Sequence, residues 1–517
     1  METKTMRRYA VLHVGSSNMS ITILEYTSID CVRVVDYASR EVTFGEELFQ
    51  TSRLSFETID EICQVLRGYK RLMADYGVQE ARLYGTTVIR EAKNRRIILE
   101  QIFIHTGLRV EVIDMPKEVY YKYFWLYYDM QKHPLQRAGQ PLMFVDITSG
   151  GVGITVWKGS KILFQHNIHS GSLRVIESFK RNQRASMSFP RAVAEYLRHI
   201  LLPLEAELKS LHIDHIIFAG DEAQFLASCL GMGKVGDEAV SIPAQQVTDF
   251  VDSFHGLSVS KLMNRYHLPE FKANIMMPTL ILYREIIQLL APTTVLVSGI
   301  SFSEGISLYY GAEKEDAPYL HLLREQNVEI ARSIARRYNT DPVHNREVER
   351  FAMQFSDALK DQGVPERWGY LARIAALLCD VGKFVNLRNH GEHAYQIIMG
   401  SDIFGLSDEE KEVVATVVYY HYKGIPSDED AYFDALTEYQ KIAVIKLAAI
   451  MRMAIALDAG GNQKIQRIRI ERQQGSVLVT AYTSEDISLE RWTFEREAAF
   501  FAAVFGMPIQ LAEGGDW

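Results

Sequence analysis

The chain has 517 residues, 47% apolar and 23% charged, with a formal net charge of −9. This is ordinary globular composition, long enough for about three or four domains of ~100–200 residues, and its acidic balance argues against a general nucleic-acid coat, whose surfaces are basic. No apolar run approaches the ~20 residues of a membrane helix, and the first residues lack a signal peptide's apolar segment and cleavage site. The four cysteines form no CxxC pair, so a cytoplasmic protein with neither a disulfide framework nor a zinc knuckle is expected.

In chain order, residues 8–26 ("YAVLHVGSSNMSITILEY" within them) predict strand, Gly/Ser turn and strand, with His13 near the end of the first strand. Apolar spacing of three and four predicts helices over 57–77 and 93–106. "LYGTTVIREAKNRRIILEQI" places Arg90 at a strand–helix junction, and "GLRVEVIDMPKEVYYKYFW" places Glu118 just after another strand. Residues 142–168 repeat the first hairpin and add a third strand, "KILFQHNI"; here "FVDITSGGVGITVWKG" delivers Asp146 into a Thr-Ser-Gly-Gly turn. A helix is expected over 190–211, then a strand, a Gly-containing turn and a helix over 293–310. Hairpins mixed with helices imply two α/β lobes, each a sheet covered by helices and each a duplicate of the other. From Ala317 to Asp458 the pattern is almost wholly helical, and 462–517 returns to mixed structure, with a hairpin at Gln-Gly-Ser and a helix closed by Gly506.

A Gly/Ser turn between strands leaves backbone N–H groups pointing into the turn, a nest for phosphate oxygens. Gly15 and Ser16 in the first turn and Gly150 and Gly151 in the second are the expected donors, gripping a phosphate chain from two sides. A carboxylate at the end of a buried strand, Asp146, implies something there that needs negative charge.

Four runs in order resemble the Ppx/GppA family of exopolyphosphatases and guanosine pentaphosphate phosphohydrolases: "GTTVIREAKN", "TGLRVEVIDMPKEV", "DITSGGVGI" and "SGISFSEG". The resemblance spans essentially the whole chain. It implies two actin-like, ribonuclease-H-like lobes (1–130 and 131–314), an all-α HD-type domain (315–459) and a small α+β C-terminal domain (460–517). It further implies Glu118 as general base, Arg90 as a phosphate-binding arginine and Asp146 as the carboxylate of a magnesium ion. A carboxylate near phosphate oxygens has a raised pKa that suits proton transfer, and the arginine fork suits two oxygens at once.

The chain departs from the family pattern at defined places. His13 stands at the first loop's aspartate, Gly153 at the second loop's glutamate, and Thr148 and Ser149 at two of its glycines. In the helical region His344 and Asp380 match HD ligands, but Cys379 replaces the histidine of the His-Asp pair and Ile455 the final aspartate, so no catalytic metal is expected there. His390, His393 and His421 are expected at the surface or in packing, with phosphate contacts as the alternative, and Lys383 and Lys423 as guides for a polyanion. The implied activity is release of terminal orthophosphate from polyphosphate with magnesium. The alternatives are guanosine pentaphosphate hydrolysis or a weakly active or inactive sensor of polyphosphate or an alarmone. A homodimer is expected, with no membrane partner.

Overall fold

The computed structural model describes residues 7–28, 31–131, 133–148, 150–184, 186–232, 239–253, 259–268, 270–314, 318–473 and 475–514. The chain forms two compact units, Met1–Gln326 and Asn327–Trp517.

The first unit holds two sheets. One contains β1 (Arg7–Val14), β2 (Asn18–Ser28), β3 (Cys31–Glu41), β4 (Glu80–Gly85) and β5 (Val110–Val112), in the order β3-β2-β1-β4-β5. The other contains β6 (Leu142–Ile147), β7 (Val152–Lys158), β8 (Lys161–Ile168), β9 (His215–Ala219), β10 (Val240–Pro243) and β11 (Thr294–Ser298), in the order β10-β11-β9-β6-β7-β8. Each sheet begins with three antiparallel strands and continues with parallel ones, β1 with β4 and β5, β6 with β9 and β11, and the second sheet closes with β10 antiparallel to β11. Parallel neighbours need long crossovers, and helices supply them. The duplication expected from the two hairpins is therefore present at the level of strand order. The first sheet also has a third antiparallel strand, β3, beyond the hairpin expected over 8–26.

Strands buried on both faces read as continuous apolar runs. β6 is buried along its whole length, and β1 from Tyr9 to Val14. Most expected helices form close to their predicted bounds: Phe56–Asp75, capped by the Ser55 hydroxyl, and Arg95–Thr106, stopped by left-handed Gly107. The expected 190–211 helix does not run through. It is α-helical over Phe189–Leu201, tightens to a 3-10 turn over Leu202–Leu204 and resumes over Glu205–Ser210. Pro203 explains the break, since its ring removes an N–H and crowds the preceding turn.

The second unit is helical from Pro342–Ala358 to Glu438–Ala456 and ends in a three-stranded sheet. Ser407 with Glu410 and Thr437 with Gln440 form capping boxes at two helix starts. β12 (Arg467–Gln473) and β13 (Ser476–Tyr482) form the expected hairpin around Gly475 (φ 82°), and β14 (Ile509–Gly514) pairs parallel to β13. The helix Ser488–Phe505 ends at left-handed Gly506. Among the described residues no helix is long and apolar enough to cross a membrane.

Candidate active site

The Asp114 carboxylate accepts a hydrogen bond from the Lys117 amide at 2.8 Å and starts the helix Met115–Met130, with Pro116 in its first turn. Glu118 follows in that turn, and Lys122 lies four residues on, on the same face. Both are buried. Lys122 Nζ donates to both oxygens of Asp146, at 2.7 and 2.9 Å. Asp146, near the end of β6, is 1% exposed.

Arg90 closes the short helix Thr87–Arg90 after β4. Its Nη1 donates to the Ile113 carbonyl at 2.7 Å and its Nη2 to Thr87 Oγ1 at 3.2 Å. These bonds hold the guanidinium with Nη1 3.5 Å from Glu118 Oε2. That oxygen is buried and accepts no hydrogen bond among the described residues. A pairing of Arg90 with Glu91 is also present at 3.3 Å, while Glu91 itself is held by Arg174 at 2.6 Å.

Burial raises the Glu118 carboxyl above its usual range; Lys122 and Arg90 pull it back, and Asp146 pushes it up again. Burial works against the charge of Lys122, but Asp146 and Glu118 outweigh it and keep its pKa raised. His13 goes the other way. Burial, with the nearby Lys122 charge, lowers it to about 3. It is a neutral ring, hydrogen-bonded to Thr86 Oγ1 at 3.0 Å and packed 4.7 Å from the Phe302 ring.

The two glycine turns differ from the open nests expected of them. The Gly15 amide donates to the Asn18 carbonyl at 2.9 Å, and buried Ser16 accepts from Gly45 N through its carbonyl at 3.0 Å. In the second turn the Gly151 amide donates to Thr148 Oγ1 at 3.0 Å, and the Thr148 amide to the Gly151 carbonyl at 2.8 Å. The amides of Gly15 and Gly151 are thus taken inside their own turns. Gly150 lies close to Arg90: a Cβ there would be 3.2 Å from Thr87 Oγ1 and 3.4 Å from Arg90 Nη2. Ser149 lies outside the described residues. Gly153, opposite Asp146 on β7, packs under Val119, whose methyl carbons a Cβ would meet at 2.6 and 2.7 Å.

These donors fit magnesium poorly. Magnesium takes hard oxygen ligands in near-ideal octahedral geometry, yet both Asp146 oxygens carry hydrogen bonds from a buried ammonium, His13 offers a ring nitrogen, and Gly153 offers no side chain. The expectation that Asp146 faces a metal meets Lys122 instead. Sequence reasoning passed over Lys122, although its spacing from Glu118 places the two on one helical face.

A family model described as the Ppx/GppA phosphatase family matches residues 23–313. The chain belongs to that family. A second model, Ppx/GppA phosphatase domain III, matches 324–497. The chain is similar to a guanosine-5'-triphosphate,3'-diphosphate pyrophosphatase of Vibrio vulnificus, 21% identical over 426 residues and covering 81% of each chain. A protein of the same name from Aeromonas hydrophila is 21% identical over 486 residues, covering 91% of this chain and 92% of the relative. Among solved structures, the Aquifex aeolicus family member (TM-score 0.50, 21% identity) and an exopolyphosphatase from Cytophaga hutchinsonii (TM-score 0.51, 17% identity) each cover 60% of this chain and 99% of their own. These likenesses show a shared mixed α/β fold.

The domain III region holds a second cluster. A cavity of about 530 Å³ is lined by His344, Asp380, His390, His421, Ile455 and Asp458, among others. His344, Cys379 and Asp380 offer ligand atoms within 4.8 Å of one another. Ile455 does occupy the wall, but Asp458, three residues on, reaches His344 Nδ1 at 2.7 Å. Asp458 lies in the turn just after the helix Glu438–Ala456. Lys383 donates to Asp380 at 2.7 Å, and Lys423 bonds Tyr419 and lies 3.5 Å from Asp430. His390 and His421 pack ring to ring at 5.6 Å, and burial lowers His421 to about 4.

Proposed function

We propose that the chain hydrolyses a terminal phosphoanhydride bond of a linear phosphate chain, releasing orthophosphate. The carrying observation is the buried Oε2 of Glu118, which accepts no hydrogen bond among the described residues, lies 3.5 Å from Arg90 Nη1 and shares a helical face with Lys122. A carboxylate with a raised pKa and a free oxygen suits a general base. In the reaction, a water oxygen bonds to the terminal phosphorus as the bridging P–O bond breaks. The water proton goes to Glu118, and the bond's electron pair stays on the bridging oxygen of the shortened chain. Arg90, pinned by the Ile113 carbonyl and Thr87, holds phosphoryl oxygens and stabilises the charge that develops on them.

Polyphosphate is the substrate we put first. Guanosine pentaphosphate is the second reading, favoured by the names of relatives that match over 81% and 91% of this chain at 21% identity. Phosphatases of this family generally depend on a divalent metal; for this chain we derive no step through magnesium. We further propose the four-part division at residues 130, 314 and 459, an HD-type plan for the helical part, and a homodimer. Phosphate release from polyphosphate and guanosine pentaphosphate, measured side by side, tests the reading. Release from one substrate alone decides between them. Tight binding of either without release makes the protein a sensor and overturns hydrolysis.

A further inference from the structure

We infer that Lys122 stands in for a divalent cation at Asp146, making this a phosphate site that works without metal. The inference rests on the hydrolase reading above. Asp146 sits where its carboxylate would hold a metal, at the end of a buried strand, and among the described residues both of its oxygens are taken by one ammonium. A lysine ammonium has three N–H donors and no acceptor. Two are committed to Asp146, which leaves one for a phosphoryl oxygen or a bridging water. Lys122 also stands one helical turn from Glu118, so charge and base share one rigid helix. The neighbouring positions agree with this reading. Gly153 is closed off by Val119, which leaves no room there for a second carboxylate without displacing that side chain. His13 is a neutral ring bonded to Thr86 and supplies no negative charge to a metal.

In this arrangement Lys122 transfers no proton. It and Arg90 carry the negative charge that accumulates on the phosphoryl oxygens, the role a metal would have as a Lewis acid. Asp146 is then a positioning residue that fixes the ammonium and keeps it protonated.

The test uses the full chain, stripped with EDTA and desalted. Phosphate release from polyphosphate is expected to differ by less than about threefold between EDTA and excess magnesium, whereas loss of a required metal costs roughly a hundredfold or more. Calorimetric titration with manganese is expected to show no Asp146-dependent site in the wild type. Lys122→Ala uncovers the carboxylate and is expected to gain such a site, lost again in the double variant with Asp146→Asn. Release that vanishes in EDTA and returns with magnesium overturns the inference while leaving hydrolysis intact. A manganese site in the wild type that Asp146→Asn abolishes overturns it as well, and this comparison holds if Lys122→Ala fails to fold. Absence of release under both conditions defeats the hydrolase reading instead, and the manganese titrations still decide the place of Lys122.

Discussion

Asp146 and Asp458 are both 1% exposed, and each is answered by a nitrogen 2.7 Å away. The answers differ in kind. Asp146 meets the permanent charge of Lys122, and beside that pair Glu118 keeps an oxygen with no hydrogen bond. Asp458 meets His344, whose charge depends on pH, and its other oxygen accepts from the Gln463 amide at 2.9 Å. The first cluster holds a buried group in reserve; the second uses its groups on one another. A buried polar atom with no hydrogen bond costs stability, and this one lies 3.5 Å from the Arg90 guanidinium, which offsets part of that cost.

The sharpest way to break this contrast is to neutralise one carboxylate in each cluster. Glu118→Gln is expected to lower phosphate release by about 10²–10⁴-fold while polyphosphate binding persists. Asp458→Asn is expected to leave release unchanged. Comparable loss in both variants would put the chemistry in the helical unit.

Acid sensitivity gives the next largest effect. His13 titrates near 6.5 when unfolded but only at about 3 in the fold. Between those values the unfolded chain binds more protons, so stability falls as pH falls, by up to about 1.4 kcal/mol per pH unit. His13→Asn is expected to flatten that slope in urea unfolding curves between pH 6.5 and 4. Glu118, with its raised pKa, carries the opposite sign and is present in both proteins, so the difference isolates His13. An unchanged slope would mean that the ring is charged in the fold, which would then favour phosphate binding at that loop.

Gly153 sharpens the account of the missing acidic shell. Gly153→Ala pushes a methyl group against Val119 and is expected to cost about 1–3 kcal/mol by overpacking, with part recovered by adding Val119→Ala. A glutamate there has the same obstacle, so rebuilding the loop's acid means repacking the helix that carries Glu118 and Lys122. Full stability of Gly153→Ala in thermal melts would show that the glycine is free to become acidic.

The duplicated lobes were legible because buried strands and Gly/Ser turns leave local marks, and Arg90 and Glu118 were singled out by the family resemblance, though their contact with each other was not. Lys122 was not legible: a lysine in an aromatic-rich helix reads as a solvated side chain until Asp146, on another element, is placed against it. The closed turns were also hidden, since Thr148 in place of a glycine supplies the hydroxyl that takes the Gly151 amide. Asp458 was not legible because Ile455 stands at the position that aligns with the family's aspartate, while Asp458 lies three residues on, past the helix end. In each case the deciding partner comes from a distant or neighbouring segment, which local pattern does not weigh.

The smallest expected effect lies in the helical cluster and carries a sign that tests its structural role. Burial opposes the charge on His344, but the Asp458 hydrogen bond and the charges of Asp380 and Asp458 raise its pKa above the ordinary value. A histidine raised in the fold contributes stability that is fully present below pH 6.5 and disappears as pH rises through the folded pKa. Asp458→Asn keeps a hydrogen-bonding oxygen and removes one of the two charges. Its cost is expected to be about 1 kcal/mol at pH 6 and smaller as pH rises through the folded pKa, where the wild-type imidazole loses its proton. Asp380 remains in the variant, so the pH slope should shrink without vanishing. Unfolding curves below and above that pKa measure this directly. A cost that is equal at both would make the bond to Asp458 one of a neutral imidazole, and the contrast between a fixed and a titratable cation in the two clusters would be lost.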